Sequence, residues 1–113
     1  MDDEKSLSEL KMKAEKFRDE RDWLKFHTPK NLAVSISIEA AEMLELFQWK
    51  DPSAEEVLRE KELAEALEEE LADILIYCLN VANVLNIDLS SAIERKLEAN
   101  NEKYPAEEYR GRT

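Results

Sequence analysis

The chain has 113 residues and a formal net charge of −11, with 43% of residues apolar and 38% charged. That length holds one domain and leaves no room for a second core, so residues 1–113 are read as a single unit. The acidic excess argues against a nucleic-acid or membrane-surface partner, because either polyanion would be repelled; a small phosphate-bearing substrate is compatible only if cations offset the charge.

Ser6-x-x-Glu9 reads as a capping box opening a first helix that runs to about Phe26. Thr28-Pro29 resets the chain, Thr28 as N-cap and Pro29 in the first turn of a second helix reaching about Trp49. Apolar residues surround most of that helix, from Leu32 to Phe47, a pattern expected inside a core or an interface. Asp51-Pro52-Ser53 is a break, after which Ser53 caps a short helix and Glu62 to Asn86 form one long helix. Asp88 or Ser90 caps the last helix, which ends before Pro105, and residues 106–113 read as a mobile tail. Without strand alternation or a Gly-rich hairpin, the fold class is all-α, of the helix-bundle type. No apolar run reaches the length of a membrane span and MDDEKSLSEL is no signal peptide, so a cytoplasmic location is expected. Cys78, inside the apolar stretch Ile74–Val84, is expected to be a buried thiol.

Carboxylates stand where a core should be. Glu39 and Glu42 share one face of the apolar second helix, in a stripe with Asn31, Ser35 and Trp49. The long helix repeats the arrangement with Glu70, Asp73, Tyr77 and Asn80. Four converging carboxylates repel one another and lose hydration, which raises their pKa values unless a cation joins them. Oxygen-only ligands favour a hard ion, Mg²⁺ or Mn²⁺. ExxE pairs are also common on solvated helix faces, the reading preferred for Glu60, Glu62, Glu65 and Glu68. A di-iron bundle is excluded by the lack of any Glu-x-x-His pair, since His27 is the single histidine.

The segments RDWLKFH, EAAEMLELFQW, EELADILIY and KLEANNEKYP, in this order and spacing, closely resemble the MazG-like dCTP pyrophosphatases from Phe17 to about Pro105. The resemblance implies a four-helix-bundle enzyme that hydrolyses a nucleoside triphosphate between its α and β phosphates. It implies metal ligands at Glu39, Glu42, Glu70 and Asp73, in agreement with the carboxylate pattern. It places base and sugar contacts at Trp23, His27, Trp49 and Tyr77, with Asn80 in the position of an asparagine shared by the wider MazG group. Taken without it, both tryptophans and Tyr77 are ordinary core aromatics and His27 closes a helix. On the last helix, Lys96, Asn100 and Lys103 lie on one face with Tyr104 beside them, candidates for clamping the phosphate tail. In one departure, Ala14 stands where the animal enzymes carry a substrate-contacting histidine, which narrows the expected margin for dCTP over other dNTPs.

Glu42 is the expected general base, although sequence does not separate it from Glu39. Two alternatives stay open: a broad-specificity enzyme for several or damaged nucleotides, and a helical interaction module without catalysis. Helices this apolar cannot all be covered by one chain of this size, so a homo-oligomer is expected, a dimer or a dimer of dimers.

Overall fold

The computed structural model describes residues 1–112. In chain order it contains α1 (Leu7–Glu20), a single 3₁₀ turn (Leu24–Phe26), α2 (Pro29–Glu45), α3 (Ala54–Arg59), α4 (Lys61–Leu85), α5 (Leu89–Lys103) and the short α6 (Ala106–Tyr109). The class is all-α, with no strand among the described residues.

Caps begin the helices as the sequence suggests. Ser6, Thr28, Ser53 and Asp88 each accept a hydrogen bond from the backbone N–H three residues on, at 3.1–3.2 Å. The helix ends use a device that is harder to read. In a chain with one glycine, Asp22 (φ 53°) and Asn86 (φ 54°) take the left-handed conformation. After each, the chain turns back on its helix: the Trp23 N–H donates to Arg18 O at 3.0 Å and the Ile87 N–H to Ala82 O at 2.8 Å. Both are Schellman-type endings, built on the two non-glycine types that best tolerate positive φ.

Two expected boundaries are corrected. The first helix stops at Glu20 rather than Phe26, and Trp23 enters a separate turn. The second stops at Glu45, so Trp49 lies beyond it in a turn, 89% exposed. The expected tail carries α6, where Tyr109 packs edge-on against Tyr104 with ring centroids 5.2 Å apart. Thr113 lies outside the described residues.

The core is small. Leu32, Leu63, Leu79 and Ala82 are the buried apolar residues, while Val34, Ile38, Leu71 and Leu75 are about half exposed. Cys78 is half-buried rather than buried. α2 and α1 both pack on α4, as does the short α3. α5 departs from α4 at 105°. The radius of gyration is 17.0 Å, against roughly 13 Å for a compact domain of this length. No single helix among the described residues is long and apolar enough to cross a membrane.

The α1–α4 contact is latched at its far end. Lys11 Nζ donates to Ile87 O at 2.8 Å, and Asn83 Nδ2 donates to Lys11 O at 3.0 Å. The latch fixes α1 beside the α4–α5 corner and sets the register of its next two turns. At the same corner Asp88 caps α5, and its pKa is lowered by hydrogen bonds from the Ser91 backbone and hydroxyl. A carboxylate held below its ordinary value contributes stability above that value and loses it as pH falls through the folded one. Asp88→Ala should therefore lower the melting temperature by about 3–6 °C at neutral pH. Circular dichroism melts should show the gap to the parent closing below about pH 4; a gap constant down to pH 2.5 would mean the charge plays no part.

Candidate active site

α2 runs antiparallel to α4, with Ser35 and Leu32 beside Tyr77 and Glu39 beside Glu70 and Asp73. That register brings together carboxylates that are far apart in sequence. Glu39, Glu70 and Asp73 each offer an oxygen within 4.8 Å of the others. Glu39 and Glu70 are half-buried, and the Oε2 atom of each is buried with no hydrogen-bond partner. Glu42 is exposed at the edge of the cluster, one turn on from Glu39.

The electrostatics carry the sign expected of crowded acids. The pKa of Glu39 is raised, first by the adjacent Glu70 carboxyl and then by burial, with the charge of Asp73 adding to it. That of Glu42 is raised by the neighbouring Glu39 carboxyl and its charge, and then by burial. Two buried, unpartnered carboxylate oxygens facing a third acid lack a donor or a cation. The donor set, all oxygen, fits a hard divalent ion such as Mg²⁺ or Mn²⁺.

A cleft of about 460 Å³ opens between α1 and α4 and begins at Asp73. Trp23, His27, Tyr77 and Asn80 line it, together with Ala14, Phe17 and Arg18. Asp73, Tyr77 and Asn80 succeed one another along α4, so the cleft extends roughly 10 Å from the acids. A smaller recess beside it shares Trp23, His27 and Tyr77 and reaches Asn31 and Ser35 on α2. His27 Nδ1 and Asn80 Oδ1 are buried and unpartnered. Burial, and after it the charge of Arg18, lowers the pKa of His27, which keeps the imidazole neutral at pH 7. Trp23 is held edge-on against Phe17, centroids 5.8 Å apart.

The structure thus brings Glu39, Glu70 and Asp73 together, puts Glu42 beside them, and joins Trp23, His27, Tyr77 and Asn80 in one cleft. Trp49, Lys96, Asn100, Lys103 and Tyr104 do not line that cleft in the single chain. Trp49 projects from the turn after α2, and the other four lie on or just after α5, which leads away. Sequence reasoning missed Arg18 and Phe17. The signal was available, since Leu10, Lys13, Ala14, Phe17 and Arg18 fall on one face of α1, and a buried arginine on a mainly apolar face is unusual.

If the acids hold a divalent ion, Mn²⁺ or Mg²⁺ should raise the melting temperature of the parent chain as its concentration passes the dissociation constant. Glu39→Gln and Asp73→Asn should each remove most of that gain while leaving the metal-free protein as stable as the parent or more so. An unchanged metal-induced shift in both variants would move the ion elsewhere.

Similarity to known proteins agrees with this geometry. Residues 34–112 match the MazG-like family. The chain is 38% identical over 110 residues to dCTP pyrophosphatase 1 of Rattus norvegicus, covering 96% of this chain and 64% of that protein. Against the Homo sapiens protein of the same name, identity is 38% over 105 residues, 91% of this chain and 61% of that one. The chain therefore spans less than two thirds of these relatives. A crystal structure of a pyrophosphatase from Archaeoglobus fulgidus superposes with a TM-score of 0.78 at 52% identity, covering 87% of this chain and 91% of that one. On its sequence match and its fold, the chain belongs to the MazG-like family.

Proposed function

We propose that the protein is a Mg²⁺-dependent nucleoside triphosphate pyrophosphohydrolase that converts dCTP, or a related dNTP, and water to the monophosphate and pyrophosphate. The observation that carries this reading is that Asp73 belongs both to a cluster of three converging carboxylates and to the lining of an aromatic, largely apolar cleft. A nucleotide has the same division, charged at the phosphates and flat and weakly hydrated at the base. Relatives named dCTP pyrophosphatase 1 support the substrate class.

Glu39, Glu70 and Asp73, with Glu42 at their edge, would hold Mg²⁺, with Mn²⁺ as a substitute. The ion supplies charge neutralisation at the phosphate oxygens as the α-phosphorus is attacked. Glu42, the solvent-facing acid next to the cluster, accepts the proton of the attacking water. Trp23 stacks on the base and Tyr77 sits one turn of α4 beyond Asp73, at the level of the sugar. Neutral His27 and the Asn80 amide offer the unpartnered polar atoms that a bound nucleoside can satisfy.

A second copy of the chain completes the site in this reading. Val34 and Ile38 on α2 and Leu71 and Leu75 on α4 are half-exposed i, i+4 pairs on antiparallel neighbours. A soluble monomer rarely leaves a surface of that kind uncovered. The wide radius of gyration and the departure of α5 give the partner room to pack. Symmetry would then bring Trp49, Lys96, Asn100, Lys103 and Tyr104 of one copy within reach of the other's groove, the lysines toward the phosphate tail. A homodimer or a dimer of dimers meets the requirement. The broad-specificity alternative rests on Ala14, a cleft residue that offers a base no polar contact.

Incubation with dCTP and Mg²⁺ should yield dCMP and pyrophosphate; orthophosphate with dCDP would refute the assignment. Glu42→Gln should lower kcat by about two to four powers of ten. Trp23→Ala should raise KM for dCTP about ten- to a hundredfold through lost stacking. Light scattering should give at least twice the mass of the chain at micromolar concentration, and a stable monomer would exclude a shared site.

A further inference from the structure

The cleft contains a buried cation that the chemistry at the carboxylates does not use, distinct from the exposed Lys13 that also lines it. Arg18 lies one turn after Ala14 on α1 and lines the same groove as Trp23, His27, Tyr77 and Asn80. At 7% exposure it is the one charged residue buried to that degree among the described residues, in a chain of net charge −11. A buried guanidinium is costly unless its donors are used. Asp19 engages one side of it: Nε donates to Asp19 Oδ1 at 2.9 Å, and Nη2 lies 2.9 Å from the same oxygen. Glu15 stands farther off, 3.9 Å from Nη2. A guanidinium has five N–H donors in a rigid fork, and these contacts leave the Nη1 pair without a protein partner among the described residues and open to water or a ligand. His27 Nδ1 and Asn80 Oδ1, both buried, are unpartnered in the same cleft. The rest of the lining is mainly apolar, suited to a flat ring with polar edges and unsuited to a phosphate tail, which the acid end of the groove would take through its cation.

Building on the proposed nucleotide reading, we infer that Arg18 is the residue through which the cleft chooses among bases, its guanidinium donating to two neighbouring acceptor atoms on the base edge. Cytosine presents such a pair at N3 and O2, and guanine at O6 and N7. Adenine sets an amino donor beside N1 and N7, and thymine sets N3–H between its carbonyls, so either would oppose a donor to the fork. The substrate class is therefore a deoxynucleotide whose base offers adjacent acceptors. Arg18 supplies from α1 an edge contact that Ala14, one turn earlier, does not.

Arg18→Met keeps the aliphatic stem, and Arg18→Lys keeps the charge without the fork. The measurement is kcat/KM for dCTP, dGTP, dATP and dTTP, expressed as ratios, which do not depend on the fraction of folded enzyme. In both variants the preference for dCTP over dTTP should fall about ten- to a hundredfold, the discrimination of one bidentate contact. A uniform loss on all four nucleotides would assign Arg18 to phosphate binding or to folding and overturn the inference. A full preference retained by Arg18→Lys would overturn the fork. A second arm needs neither metal nor turnover: calorimetric binding of deoxycytidine and thymidine, nucleosides without phosphate. The parent should prefer deoxycytidine and Arg18→Met should not; equal binding by the parent would overturn the inference. Should no triphosphate be hydrolysed while the nucleoside preference holds, the proposed reaction fails and the role of Arg18 stands.

Discussion

Packing α2 antiparallel on α4 forces Glu39 against Glu70 and Asp73, and the rest of the molecule is arranged around that contact. Like charges with oxygens within 4.8 Å of one another, two of those acids having an oxygen shut away from water, oppose the packing that creates them. The small apolar core, Leu32 facing α4 and Leu63, Leu79 and Ala82 within it, has to hold the two helices together against that repulsion. A divalent ion bound there would convert the same repulsion into attraction. Folding and ion capture would then be coupled, because the seam between α2 and α4 is both the main packing contact and the place where the acids converge.

Much of this was legible in the sequence because it depends on helical spacing. Glu39 with Glu42, and Glu70 with Asp73, each lie on one face by a three-residue offset, and apolar neighbours mark both faces as turned inward. N-caps were legible for a similar reason, since Ser6, Thr28, Ser53 and Asp88 are short oxygen-bearing side chains at the start of periodic runs. The ends of the first two helices were not. Asp22 turns the chain with positive φ without the glycine signature by which such endings are usually recognised, whereas the end of the long helix at Asn86 was read to within a residue. The consequence reaches the site: the turn after Glu20 takes Trp23 out of α1 and into the mouth of the cleft, where a continuous helix would have left it on the α1 surface. Arg18 was missed because its role depends on which face of α1 meets α4, which the Lys11–Ile87 and Asn83–Lys11 hydrogen bonds decide across more than seventy residues of sequence.

The exposed residues follow from the same geometry. A helix with apolar residues on most of its circumference needs neighbours on most sides, yet within the chain α2 buries Leu32 alone. The single chain therefore contains the acid seam and the cleft between α1 and α4, while its α5 lysines and Trp49 do not line that cleft. If a second copy supplies them, the acids and the basic helix come from different chains, and their attraction across the interface works with the apolar contact rather than against it.

Such a division also bears on how a chain of net charge −11 can bind a polyanion at all. Long-range repulsion from the acidic surface slows the approach of a free triphosphate, whereas a triphosphate already carrying a divalent ion has lost much of its charge. The acid cluster would attract the ion for the same reason that it repels the free nucleotide, so the surface opposes the metal complex less than it opposes the free triphosphate. Inside the groove the roles separate by distance. Roughly 10 Å along α4, beyond the acids, the one deeply buried cation sits among aromatic and aliphatic side chains with two unpartnered polar atoms nearby. At that separation a guanidinium pinned by Asp19 adds little to phosphate binding, and its free donors are directed by a rigid fork rather than by charge alone. Affinity can then come from the metal end, and choice from the buried end.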